Sequence, residues 1–401
     1  MTITYLVKSF KFLDSWSIKV KSEEWVFVAG GFGFLGQYIV WGLVRRGYQV
    51  VIGASKRTDI DVKKRFNRFK DFNQLVNPDF RLHDSDFTSI HVVECDISKE
   101  NLGLSHRDSS WPEKPFSQVW NCAAYMKYDP SAYQKSYETN VLGSLNLLKF
   151  AAAQAECTYY HVSTAYVGGK DFSSGRLLEE RIYENKSGYF NSYDMTKACA
   201  EREIITFCQS HSKPPCAIFR PTIIIGDSKT GFTSSAYGFY EYLQALSRLK
   251  KHIKRETVHY PCDGLSLLHL IPVDRCAQTM LALTSKVLSH EIPIYTIADA
   301  SPLTLETMTS ILSEVFGFRL VCASTIPVDE KSYERLLRSL TKQNQIFSRH
   351  SFAFCSKQTY SLVGSSICSD WSKECNFFDL LNEELINFQN FQLKVCLLTK
   401  P

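Results

Sequence analysis

The sequence predicts an α/β fold, a doubly wound parallel sheet with a smaller C-terminal subdomain. Three observations predict it. Short apolar runs alternate with stretches of helical periodicity from Trp25 to Arg220, the pattern of a parallel sheet covered by helices on both faces. The first run ends in the cluster Gly30-Gly31-Phe32-Gly33-Phe34-Leu35-Gly36. Beyond residue 230 the alternation loosens, so most of the sheet is expected before that point.

Taken in order, Trp25-Val26-Phe27-Val28-Ala29 is a continuous apolar run, as a strand buried on both faces requires. Leu35 to Arg46 has the period of a helix, and Gly47 supplies its stop. Gln49-Val50-Val51-Ile52 is the second strand, and a long basic segment, 55–88, is helical in its middle. Strands follow at His91–Asp96, Ser117–Ala124, Thr158–Ser163 and Cys216–Arg220, with helices at Val141–Ala153 and Ser192–Ser210. Later elements are a helix over 236–254, a strand at 294–298 and a helix at 304–316; the final 70 residues match no pattern. Ahead of all these, Ser15 to Lys21 alternates like a half-buried edge strand. The expected domains are an N-terminal arm over 1–22, a nucleotide-binding domain over 23–230 and a substrate-binding subdomain over 231–401, with the segment near 290–300 returning to the sheet.

The glycines follow a strand and open a helix, the arrangement of a Rossmann dinucleotide site. The first permits a tight turn, and the others let the backbone approach a pyrophosphate at the helix N-terminus. Gly30, Phe32, Gly33, Phe34, Leu35 and Gly36 are therefore expected at a cofactor. An acid after the second strand would favour NAD. Here Gly53-Ala54-Ser55-Lys56-Arg57 offers two cations instead, which favours NADPH through its 2′-phosphate. Asp96 and Ile97, after the third strand, are placed beside the adenine.

Tyr193 and Lys197 stand four residues apart, on one face of a helix. An ammonium beside a phenol favours the phenolate, so Lys197 is expected to lower the pKa of Tyr193 and ready its proton for transfer. Ser163 and Thr164 end a strand ahead of that helix, and a hydroxyl there can donate to a substrate carbonyl as it gains negative charge. Asn140 opens a helix, where N-capping or a water relay are both open.

Composition narrows the remaining classes. Of the 401 residues 44% are hydrophobic and 22% charged, a globular balance, and no apolar run approaches the length of a membrane span. The N-terminus lacks the apolar core of a secretory signal. Thirteen cysteines with no metal-ligand spacing suit reduced thiols in the cytoplasm, and no metal site is expected. A net charge of +5 is too mild to imply nucleic acid. Two basic stretches stand out, Lys56 to Lys70 and Arg248 to Arg255; both are solvated helix faces or anion sites, the first for a cofactor phosphate and the second for an acidic partner.

Together these residues resemble the extended short-chain dehydrogenase/reductase superfamily from about residue 24 to about residue 300. Asn121-Cys122-Ala123-Ala124, Asn140-Val141-Leu142-Gly143-Ser144 and Pro272-Val273-Asp274 look like its landmarks. Within it the chain is most similar to the thioester-reductase branch: terminal reductase domains of polyketide and peptide synthetases, carboxylic acid reductases and, more distantly, fatty acyl-CoA reductases of the male-sterility type. The features are the basic insertion 55–90, Asn101–Ser105, His161–Val167 and Arg220–Gly231. Ala29 departs from the Thr usual there, and the chain beyond about 325 matches nothing in the branch.

The resemblance implies a catalytic set of Thr164, Tyr193 and Lys197. It also implies cofactor contacts at Ala123, Ala124, Asn140, Arg220 and Pro221. The implied activity is NADPH-dependent reduction of a carrier-protein or coenzyme A thioester to an aldehyde or alcohol, with any acyl carrier coming in trans. A ketone, hydroxysteroid or sugar-nucleotide oxidoreductase or epimerase is the second reading. A non-catalytic NADP-binding sensor or scaffold is the third, disfavoured by the presence of both Tyr193 and Lys197.

Overall fold

A computed structural model describes residues 24–56, 60–104, 111–211, 214–235, 237–250, 253, 256–286, 292–299 and 302–363. The strand expected at Ser15–Lys21 lies outside them, as do Arg57 and most of the second basic stretch.

Seven parallel strands form the central sheet: β1 Trp25–Ala29, β2 Gln49–Ala54, β3 Ile90–Glu94, β4 Phe116–Asn121, β5 Thr158–Val162, β6 Cys216–Pro221 and β7 Ile294–Ile297. Their spatial order is β7-β6-β5-β4-β1-β2-β3. The order reverses beside β1, so the connections that follow β1 and β4 leave toward opposite faces of the sheet and open a crevice at the carboxyl edge, where ligands bind in such sheets.

Helices cover both faces. They include α1 Phe34–Arg45, α2 Val62–Asn73, α3 Gly143–Ala152, α4 Ser192–His211 and α6 Val273–Leu283. Helix α1 is buried along almost its whole length against the sheet and α6. A Cβ at Gly42 would lie 2.3 Å from Leu281 Cδ1, so the two helices touch where the sequence removes a side chain. Beneath the other face, Phe27, Val119, Leu147, Tyr159 and Ile204 pack in a second core.

A smaller lobe stands over the carboxyl edge. Its centre is a parallel pair, Thr257–Pro261 with Arg319–Ala323, packed by α5 Phe239–Lys250, α7 Leu305–Phe316 and the helix Ser332–Leu340. Residues that matched no sequence pattern supply the helix Gln345–Arg349, the strand Ser351–Phe354 and the helix Lys357–Val363. That strand pairs with Ser174–Leu178.

One expected boundary is corrected. The helix placed from Val141 begins earlier, at Tyr133–Tyr137, and passes through a π-turn, Glu138–Leu142, into α3. The wide turn breaks the helical period, so the first half was not legible as helix.

Candidate functional site

The glycine turn leads directly from β1 into α1. Gly30 has φ +77°, and a Cβ there would lie 2.7–2.8 Å from the backbone of Cys122 and Ala123. At Gly36 a Cβ would lie 2.2 Å from the Gly30 carbonyl oxygen. Only glycine lets the turn, α1 and the end of β4 come this close. No side chain caps α1 and no acid stands in its first turn, so its first-turn N–H groups present an uncompensated positive end. They face a cavity of about 860 Å³ whose lining includes Phe32, Gly33, Phe34 and Leu35.

Of the two expected cations, only Lys56 is among the described residues. Ser55 lines the cavity, but Lys56 is exposed and off the wall, and Arg57 is outside the described residues. Arg65 and Arg68 line it instead. Asp61 caps α2 by accepting from the Lys64 N–H at 2.7 Å, which sets the helix phase. Residues 65 and 68, three apart, then share the cavity face. Arg65 Nη1 donates to the Ser55 carbonyl at 2.7 Å, and its guanidinium lies 5.0 Å from the Phe32 ring centroid. Asp96 spends an oxygen on the Ser98 N–H and hydroxyl, and Ile97 is buried against Gly143; neither lines the cavity.

Deeper in the same cavity lie Ser163, Thr164, Tyr193 and Lys197. Strand β5 delivers the hydroxyl pair, and the Ser163 N–H donates to the Phe219 carbonyl at 2.7 Å, fixing the strand end. Thr164 caps the turn Ala165–Phe172, its oxygen accepting from the Tyr166 N–H at 3.3 Å. That leaves its own hydrogen to give. The Ser163 hydroxyl is buried with no protein partner. Tyr193 and Lys197 project from successive turns of α4.

The electrostatics correct one expectation. Lys197 directs its ammonium at the Val162 carbonyl. Burial lowers its pKa to about 8, partly opposed by Glu201. Tyr193 is pushed up, not down, by burial and then by the neighbouring Asp194 carboxylate. The phenol sits edge-on to Tyr128, 6.2 Å between ring centroids, in surroundings that penalise a phenolate more than the lysine favours it. Asp194, also on the wall, is itself raised to about 7 by burial, against the hydrogen bond from Asn191 at 2.7 Å.

Two residues expected at the cofactor are held elsewhere. Asn140 lies inside the π-turn and does not open a helix; its amide bridges the Tyr125 N–H (2.8 Å), the Tyr125 carbonyl (3.2 Å) and the Thr196 hydroxyl (3.0 Å). Arg220 is buried and meets both oxygens of Glu201, at 3.0 and 2.6 Å, while Nη1 donates to the carbonyls of Glu179 and Arg181. Pro221 and Ala124 do line the cavity, and Ala123 backs the turn at Gly30.

The far wall comes from the smaller lobe: Tyr242, Tyr260, Leu268, Leu305, Met308 and Phe347 are among its residues. Sequence reasoning missed these because they converge from separate segments with no shared motif. Among the described residues no cluster of His, Cys, Asp or Glu could hold a metal ion, and no helix is long and apolar enough to cross a membrane.

The family described as male sterility protein matches residues 28–280. The chain is 26% identical to the fatty acyl-CoA reductase wat of Drosophila melanogaster over 294 residues, 65% of this chain and 54% of that one. It is 27% identical over 279 residues to the non-canonical nonribosomal peptide synthetase cpsA of Aspergillus campestris, 65% of this chain and 24% of that one. The chain thus spans about half or less of these relatives' length. In structure it is similar to the terminal R domain from the myxalamid PKS-NRPS biosynthetic pathway, with TM-score 0.70 and 20% identity, covering 92% of this chain and 91% of that one.

Proposed function

This chain belongs to the male sterility protein family, and from that premise we propose that it is an NADPH-dependent reductase of an activated acyl group, a carrier-protein or coenzyme A thioester, giving an aldehyde or alcohol. One observation carries the reading. Thr164, Tyr193 and Lys197 line the same cavity as the open N-terminus of α1, and a largely apolar wall faces them.

The residues present fit a dinucleotide. The space that side chains at Gly30 and Gly36 would fill is taken by backbone, and α1 points unpaired N–H groups at the cavity. The glycine turn and the α1 N-terminus would hold the pyrophosphate. Arg65 and Arg68 would hold the 2′-phosphate, in a fork geometry that suits it. Lys197 would hold the nicotinamide ribose. Bound there, the cofactor supplies a hydride.

The chain's own groups then handle the acyl oxygen. The Thr164 and Tyr193 hydroxyls donate to the carbonyl oxygen as negative charge grows on it. The raised pKa of Tyr193 keeps its proton in place until that oxygen demands it. Loss of the thiol from the resulting hemithioacetal leaves an aldehyde; a second round, with hydride to the aldehyde carbon from a second NADPH and the proton to its oxygen from Tyr193, would give the alcohol. The apolar wall excludes water from both rounds.

The test is NADPH oxidation with a panel of acyl-CoA and acyl-carrier thioesters, beside Tyr193→Phe. Thioester-dependent oxidation that falls about 10²- to 10⁴-fold in the variant supports the reading. Activity only on free ketones or sugar nucleotides would replace it with the second reading.

A further inference from the structure

A run of aromatic rings on the cavity wall starts at Tyr193 and continues through Tyr128 and Phe347 to Tyr166. Each ring is turned steeply against the next. Tyr193 meets Tyr128 at 83° with 6.2 Å between centroids, Tyr128 meets Phe347 at 65° and 6.4 Å, and Phe347 meets Tyr166 at 74° and 4.8 Å. Rings at such angles form the corners of a box, not a flat stack. They arrive from separate segments: α4, the loop after β4, the helix Gln345–Arg349 and the turn that Thr164 caps. Asp194 lines the same cavity and is 4% exposed. Asn191 Nδ2 donates to one of its carboxylate oxygens at 2.7 Å, and no other donor and no cation meets the carboxylate among the described residues. The cavity's own cations are engaged elsewhere. Lys197 is at the Val162 carbonyl, Lys127 lies over the Tyr237 ring at 5.2 Å, and Arg65 is at the Ser55 carbonyl, with Arg68 on the same face of α2.

We propose that Asp194 and the rings of Tyr128, Tyr166 and Phe347 form a recognition site for the charged amino group of an aminoacyl thioester. The proposal rests on the reductase reading and names its substrate class. A buried charge needs a partner, and the protein gives Asp194 none. An ammonium entering beside it supplies that partner, so the carboxylate ionises against it and a charge-assisted hydrogen bond forms. The raised pKa of the empty site, about 7, is what an acid awaiting a cation shows. The aromatic walls act in the same direction, because the face of a ring attracts a cation within about 6 Å of its centre, where an aliphatic wall would only desolvate it. Asp194 directly follows Tyr193, the residue that would hold the acyl oxygen, and both line the cavity. The amino group therefore lies close to the thioester carbonyl, as on the α-carbon of an aminoacyl group. An acyl group without the amine leaves the carboxyl unpaired and is discriminated against.

The test uses the full chain in two arms. In the first, titration calorimetry with NADP present compares leucinol with the same alcohol lacking its amino group. These mimic the alcohol product and differ only in the proposed determinant. Leucinol is expected to bind at least about tenfold tighter. That preference should fall below about threefold in Asp194→Asn, which keeps an oxygen for Asn191, and should shrink by about threefold in Phe347→Leu, which leaves the carboxyl in place. Equal binding of the two alcohols by the parent protein overturns the proposal, as does a preference that survives Asp194→Asn. The second arm compares kcat/KM for the leucyl thioester of coenzyme A and its deamino counterpart, with an advantage of about tenfold or more expected for the leucyl compound. Equal turnover of both overturns the substrate class. Failure to turn over any thioester would instead remove the reductase reading, and the calorimetric arm then decides the amine site by itself.

Discussion

The ammonium of Lys197 donates to the main-chain carbonyl of Val162, the last residue of the strand that delivers Ser163 and Thr164. One contact thus ties the helix bearing Tyr193 to the strand bearing the hydroxyl pair. Burial holds the lysine's pKa near 8, whereas Tyr193 is displaced upward and keeps its proton across the neutral range. The cation is present below about pH 8 and lost above it. If the reaction needs that cation, kcat/KM is level near neutrality and falls as pH rises through about 8. A pH profile level to 9.5 would remove Lys197 from that role. Lys197→Met is expected to lower kcat/KM by about 10²-fold or more at pH 7.

On the proposed reading, nucleotide choice rests on Arg65 and Arg68. Each is expected to contribute a charge-assisted hydrogen bond to the 2′-phosphate, worth about 1.5–3 kcal/mol. Arg68→Ala should raise the Kd for NADPH about 10-fold or more and leave that for NADH nearly unchanged. Arg65→Ala should do the same and also release the Ser55 carbonyl it now caps. Equal losses for both nucleotides, measured by titration calorimetry, would show that these side chains support the wall and do not read the phosphate.

Arg220 and Glu201 form a buried ion pair, 1% and 2% exposed at their side chains. Removing one partner strands a charge in the interior, which costs about 3–5 kcal/mol. Glu201→Gln is therefore expected to lower stability by that order in urea unfolding. Because the pair joins α4 to β6 behind Lys197 and Glu201 also holds up that lysine's pKa, the activity lost should follow the folded fraction while the alkaline fall in kcat/KM moves to lower pH. A Glu201→Gln protein of native stability but weakened nucleotide binding would return Arg220 to the cofactor.

What was legible in the chain was what its local pattern encodes. The strand-glycine-helix turn is contiguous, so Gly30, Gly33 and Gly36 announced themselves, and the four-residue spacing of Tyr193 and Lys197 fixes a shared helix face wherever the helix packs. Arg65 and Arg68 were part of a basic stretch, but which cations face inward depends on the phase of α2, set by the Asp61 cap and by Phe69 packing on Phe32. Arg220 lies near the end of a strand in a ligand-like place; its partner is a helix residue brought opposite only by folding. The direction of the Tyr193 shift was misjudged for the same reason, since spacing records the lysine but not the desolvation. The apolar wall was illegible because it converges from separate segments with no common period.

Asp194 offers a check on that balance between burial and local polarity. It stands three residues after Asn191 in a reciprocal cap: its N–H donates to Asn191 Oδ1 at 2.8 Å, and Asn191 Nδ2 donates to its carboxylate at 2.7 Å. A helix N-terminus favours an ionised acid, but burial dominates here and moves the group to about 7. An unfolded aspartate titrates near 3.9. The folded state therefore binds the extra proton between these values. The stability this confers is complete below about pH 4 and is lost as pH rises through about 7. Asp194→Asn keeps an oxygen for Asn191 and removes the titration. Relative to the parent, it should gain stability between pH 5 and pH 8, on the order of 2 kcal/mol. Urea unfolding of both proteins at the two pH values measures the difference. A variant that instead loses ground at pH 8 would mean that the carboxylate is ionised in the fold and that the helix end outweighs burial.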